Sequence, residues 1–220
     1  MKTPAGSEGR TVRIDVDGDA IVGDLRVPQD ARGVVAFAHG SGSSRHSSRN
    51  RQVAQSLVDA GFATLLMDLL TTREEEIDVR TREFRFDIGL LAARVVGTAD
   101  WLRGDDDLGE LPIGLFGAST GAAAALVAAA ERPDTVASVV SRGGRPDLAD
   151  DALTAVRAPT LLIVGGADVP VIGMNEDAAA RMPGEVSLEI VPDATHLFEE
   201  PGALEQVADL AIHHFDRTLR

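Results

Sequence analysis

The sequence predicts an α/β fold: one domain on a mostly parallel, twisted sheet of about eight strands, with helices on both faces. Three observations carry this. Short apolar runs alternate with segments of helical spacing along the whole chain. Several of the runs are apolar at nearly every position, the pattern of strands covered on both faces. No linker, repeat or low-complexity tract breaks the alternation. The chain has 220 residues, 44% hydrophobic and 25% charged, enough for one domain with a sizeable core.

The elements follow in order. Residues 1–10 hold no apolar run, so they do not read as a secretory signal; they are expected to be disordered, with the domain spanning 11–220. Thr11–Val16 and Ala20–Val27 alternate in polarity on either side of Asp17-Gly18-Asp19 and read as an antiparallel pair at one sheet edge. Gly33–His39 is a nearly continuous apolar strand. Asn50–Ala60 has helical spacing, with Val53, Leu57 and Val58 on one side, and stops at Gly61. Phe62–Asp68 is the next strand. Phe86–Leu102 is a long helix with Ile88, Leu91, Ala92, Val95 and Ala99 inward. A strand running into Gly117 and an Ala-rich helix come next. Then follow a strand over Val136–Val140, a short helix over Asp147–Val156, a strand over Pro159–Val164 and a helix over Asn175–Arg181. Val186–Val191 is the last strand and Pro201–Leu219 the last helix.

Composition narrows function. A net charge of −14 argues against nucleic acid and against an anionic membrane surface as partners. With no Cys there is neither a disulfide framework nor a thiol nucleophile. No apolar run is long enough to cross a bilayer, and a cytoplasmic setting is expected. No metal or cofactor is expected.

The richest stretch is Gly117-Ala-Ser119-Thr-Gly121, with an apolar strand before it and a helix after it. In that context G-x-S-x-G is a sharp strand-to-helix elbow that exposes the Ser119 hydroxyl at its tip, where the helix N-terminus supplies N–H donors. In a parallel α/β sheet, ligands bind beyond the carboxyl ends of the strands. Asp168, in Gly165-Gly-Ala-Asp168, and His196, in Ala194-Thr-His196, also follow strand ends. A serine hydroxyl needs a base in hydrogen-bond reach, and the base needs an acceptor to fix its tautomer, so Ser119, His196 and Asp168 read as nucleophile, base and orienting acid. Asp68 also ends a strand and is an alternative acid. Asp193 reads as a turn former.

The order Ser, Asp, His, together with His39-Gly-Ser-Gly-Ser-Ser-Arg45 and the motifs above, resembles the α/β-hydrolases, and among them the dienelactone-hydrolase-like branch, from about Val12 to the last helix. The resemblance implies an oxyanion hole from the backbone N–H of Thr120 and of Ser41, with His39 supporting that loop. Dienelactone hydrolases proper use Cys where this chain has Ser119. Some relatives look like this chain fused to a phosphoribosyltransferase domain. The segment Ser141–Val156 is too short for a cap domain, so an open, shallow site is expected. Arg45, Arg142 and Arg145, with Arg49 nearby, flank the expected site. They could bind an anionic substrate group or pair with Glu74–Glu76, Asp78 or Asp87 to hold loops. The expected activity is a serine hydrolase cleaving small esters or lactones; the alternatives are a non-catalytic binding protein on the same fold, or an acyltransferase using the same triad.

Overall fold

The computed structural model describes residues 9–16 and 18–220. Eight strands form one sheet: β1 (Arg10–Val16), β2 (Asp19–Arg26), β3 (Val34–Ala38), β4 (Ala63–Met67), β5 (Ile113–Ala118), β6 (Val136–Arg142), β7 (Thr160–Gly165) and β8 (Val186–Val191). Their spatial order is β1-β2-β4-β3-β5-β6-β7-β8. β2 pairs antiparallel with β1 and with β4, and the pairs from β4 to β8 are parallel, so the expected edge hairpin is present. Most of the expected disordered segment lies outside the described residues; Arg10 opens β1.

The continuous apolar runs became the strands buried on both faces. Every residue of β3, β4, β5 and β7 is buried. β8, at the edge, is buried only at Val191. Helices α1 (Ser48–Asp59) and α6 (Ala203–Thr218) cover one face, where Phe37 and Phe116 stack at 4.8 Å between centroids. Helices α3 (Ile88–Arg103) and α4 (Thr120–Glu131) cover the other. Between β6 and β7 lies one 3₁₀ segment, Pro146–Ala155, kinked at Asp150 (φ 44°), and no cap domain. The short helix expected over Asp147–Val156 is thus present as a 3₁₀ segment broken at Asp150.

Helix α2 (Thr72–Thr81) was not foreseen. Its two apolar residues, Ile77 and Val79, form no buried stripe, and Asp78 is its only buried residue. A capping box holds its start: Thr71 Oγ1 accepts from Glu74 N–H, and the Glu74 carboxylate accepts from Thr71 N–H. Glu74 also meets buried Arg94 of α3 at 3.0 Å, which ties α2 to the body. Helix α5 (Val169–Arg181) begins six residues before the expected Asn175, with Pro170 in its first turn.

Candidate active site

The elbow forms at the carboxyl end of β5. Ser119 holds φ 51° and ψ −120°, a left-handed conformation that L-residues avoid at a cost of roughly 1–3 kcal/mol. Such strain persists where packing enforces it. Here a Cβ on Gly121 would lie 2.3 Å from the carbonyl oxygen of Ala38, and one on Gly117 would lie 2.4 Å from Ala122 Cα. Only glycine lets α4 sit this close to β3 and to its own strand. The Ser119 side chain makes no helix-capping bond and is left to face outward.

Three polar residues from three strand ends meet. The Ser119 hydroxyl donates to Nε2 of His196 at 3.3 Å, and Nδ1–H of His196 donates to the Asp168 carboxylate at 2.7 Å. Asp168 follows β7 and is mostly buried, whereas His196 follows β8 and is 37% exposed. Asp68, the alternative acid, is engaged elsewhere: its carboxylate takes the Arg45 guanidinium and, at 2.9 Å, the Arg45 N–H. Asp193 sits in a turn at φ 59°, as expected.

Two backbone N–H groups near the serine have no hydrogen-bond acceptor among the described residues. Thr120 is the first residue of α4, so its N–H has no intrahelical acceptor. The N–H of Ser41 has no backbone acceptor among the described residues. His39 braces this loop. Its Nε2 accepts from Leu69 N–H at 3.1 Å, so Nδ1 carries the proton and donates to Gly40 C=O at 2.9 Å. Burial holds the His39 pKa below its ordinary value, which favours this neutral form. A second brace went unforeseen: the buried Asp78 carboxylate accepts from the N–H groups of Phe84 and Arg85 and from Arg85 Nε, and Arg85 lies against Gly42.

The arginines divide. Arg145 forms a two-pronged pair with Asp147, at 2.8 and 2.7 Å, and Arg45 is shared by Asp68 and Asp24. Arg49 pairs with Glu199 at 3.1 Å. None of these acids was among the expected partners; Asp78 holds Arg85 instead. For Arg45 and Arg145 the expectation of substrate binding therefore meets guanidinium groups already answered by carboxylates. Arg142 alone of the three faces the cleft without an acid.

A cleft of about 220 Å³ holds Ser119, His196, Ser41, Asn50, Arg49 and Arg142. Another hollow, about 500 Å³, is lined by residues of β1, β2, β4 and α1 and touches none of Ser119, His196 or Asp168. Another Ser–His contact, Ser138 Oγ to His214 Nε2 at 2.9 Å, joins β6 to α6. Both residues are buried, and Pro159 C=O and the Thr218 hydroxyl complete that cluster. A substrate carbonyl has no access there, so the pair reads as a tie between helix and sheet. Burial lowers the His214 pKa to about 4. Among the described residues no group of three or more His, Asp or Glu is arranged to hold a metal ion, and no helix is long and apolar enough to cross a membrane.

Residues 21–220 match the model of the dienelactone hydrolase family. Over 97% of its length this chain superposes on 99% of a crystal structure described as dienelactone hydrolase from Anabaena variabilis, with TM-score 0.96 and 60% identity. Est1E from Butyrivibrio proteoclasticus is alike in fold, with TM-score 0.78 at 17% identity, over 96% of this chain and 98% of that one. A curated Mycobacterium tuberculosis protein named "Putative phosphoribosyl transferase" is 60% identical over 89% of this chain. The chain spans 43% of that relative's length.

Proposed function

Because this chain belongs to the dienelactone hydrolase family, we propose that it is a cytoplasmic serine hydrolase that cleaves small carboxylic esters or lactones through an acyl-enzyme on Ser119. The observation that carries this reading is the relay of contacts from Ser119 through His196 to Asp168, at 3.3 and 2.7 Å, with the serine on a strained elbow. His196 takes the Ser119 proton as the oxygen attacks the carbonyl, and the N–H groups of Thr120 and Ser41 hold the oxyanion. The proton then passes to the leaving alkoxide, and the ester bond breaks. Water, activated by His196, attacks the acyl-enzyme and returns Ser119 free. Asp168 keeps the proton of His196 on Nδ1 and stabilises the imidazolium that forms twice in the cycle. The absence of a cap between β6 and β7 suits small, readily exchanging substrates.

The name of the M. tuberculosis relative belongs to a protein more than twice as long as the stretch shared here. Nothing in the Ser119 site favours phosphoribosyl transfer over acyl transfer. The test is a panel of p-nitrophenyl esters and lactones of rising chain length. The native protein should cleave the short members, and Ser119→Ala should lose at least about 10³-fold in kcat/KM. Equal rates in both proteins would overturn the reading.

A further inference from the structure

The direction of the Ser41 N–H is set by its neighbours in the loop. A peptide group is planar and trans, so the Gly40 carbonyl and the Ser41 N–H point opposite ways. That carbonyl is fixed twice. It accepts from Ser43 N–H at 3.2 Å, which closes a turn over residues 40–43, and from His39 Nδ1–H at 2.9 Å. Gly40 also lies against the nucleophile, since a Cβ there would be 3.1 Å from Ser119 Cβ. A shift of the turn therefore moves the Ser41 N–H relative to Ser119. Gly42 holds the third position of the turn at φ 70°, in the left-handed region that favours glycine.

His39 holds one side of this turn, and Arg85 backs the other. A Cβ on Gly42 would lie 3.0 Å from Arg85 Nη1. Arg85 is itself pinned: its Nε donates to the Asp78 carboxylate at 2.6 Å and its Nη2 to the Asp78 carbonyl at 3.1 Å. The same carboxylate accepts from the N–H groups of Phe84 and Arg85 at 2.8 and 2.9 Å. Between this pair and the loop remains a gap of about 10 Å³, room for one water at most. Helix α2, which carries Asp78, adds no buried apolar side chain to the core, and its Val79 is exposed. Its one buried side chain is this carboxylate, 1% exposed. A buried ion pair is a weak source of net stability, but these four hydrogen bonds leave the guanidinium one orientation.

Resting on the serine-hydrolase reading, we infer that Asp78 and Arg85 are a positioning pair for the oxyanion site. Helix α2 delivers the carboxylate, the carboxylate fixes Arg85, and Arg85 backs Gly42 so that the Ser41 N–H stays aimed at the oxygen that becomes negative. Neither side chain lines the Ser119 cleft, so both act through the turn. The full negative charge forms only along the reaction path, so a misaimed donor lowers kcat and leaves KM nearly unchanged.

The test is hydrolysis of a short p-nitrophenyl ester by Arg85→Gln, with urea unfolding as a check on folding. Outright removal of an oxyanion donor costs about 10²–10³ in kcat; misaiming one should cost about 10–10², with KM within about twofold of native. Arg85→Lys should recover part of the rate, and Arg80→Gln, at an exposed position of the same helix, should match native. A trifluoromethyl ketone separates aiming from a merely structural role. The Ser119 oxygen adds to its carbonyl and leaves a stable oxyanion, so its inhibition constant should weaken by the same factor as kcat/KM across the series. Should Arg85→Gln not fold, Gly42→Ala at the exposed turn gives the reading instead: its methyl presses on Arg85 Nη1 and should produce the same split between kcat and KM. A kcat within about twofold of native in the folded variant, a loss confined to KM, or a kcat loss with ketone affinity unchanged would overturn this inference and leave the hydrolase reading intact. No ester cleavage and no ketone inhibition in the native protein would overturn both.

Discussion

Asp168→Asn isolates the electrostatic part of the proposed machinery, since the amide is nearly isosteric with the carboxylate but carries no charge. The Asp168 carboxylate meets His196 Nδ1 at 2.7 Å and is mostly shielded from water. During acylation His196 becomes a cation, its charge centre about 4 Å from the carboxylate's, and such a pair is worth about 4 kcal/mol at an effective dielectric of about 20. His196 is 37% exposed, so solvent screens part of that. A remaining 3–4 kcal/mol corresponds to a loss of about 10²–10³ in kcat. An amide can also present its NH₂ to Nδ1 and favour the wrong tautomer, which adds to the loss. The assay is steady-state hydrolysis of a short p-nitrophenyl ester, with urea unfolding as a control for folding. The loss should fall on kcat rather than KM, because the imidazolium exists only after the proton moves. A variant that keeps stability and loses less than about fivefold would refute the argument that Asp168 stabilises the cation on His196.

Two further outcomes follow from packing and burial. Gly121→Ala places a methyl 2.3 Å from the Ala38 carbonyl oxygen and 2.4 Å from that of His39, backbone atoms that cannot step aside. It should destabilise by about 2 kcal/mol or more and lower kcat as the elbow shifts, read by urea unfolding and ester hydrolysis; an unchanged midpoint would contradict the close approach. The pKa of His214 is lowered by burial to about 4 from 6.5, so between those pH values the unfolded chain takes up a proton that the folded chain refuses. Stability should therefore fall as pH drops through that window, by up to about 3 kcal/mol from this residue, with none of it lost above the upper value. Urea unfolding from pH 7 to pH 4 should show a shallower decline in His214→Gln than in native protein; parallel declines would refute it.

The strands were legible because burial on both faces leaves continuous apolar runs, as in Val34–Ala38 and Ile113–Ala118. Ser119, Asp168 and His196 could be grouped because each follows a strand of the parallel sheet, which delivers its strand ends to one rim. Helix α2 carries no stripe to betray it; the signal was the capping pair Thr71 and Glu74. The start of α5 was marked by Pro170, which suits a first helical turn. His213 and His214 both read as surface or partly packed residues of the last helix, yet His214 is buried, on the face of α6 that it shares with Val207 and Ala211. His213, beside it, is exposed. Partners of the arginines were not readable. Arg49 finds Glu199, and Arg45 finds Asp24 and Asp68, only after the sheet is assembled. The same assembly leaves Arg142 without an acid, which no local pattern announces.

The claim on which the rest depends is that Ser119 is a nucleophile activated by His196. Intact-mass spectrometry after exposure to a fluorophosphonate tests it most directly. The native protein should gain one adduct, mapped by peptide digestion to Ser119 and absent from Ser119→Ala, and His196→Ala should label far more slowly. Labelling at another residue, Ser138 included, or no labelling of a folded protein, would contradict the account.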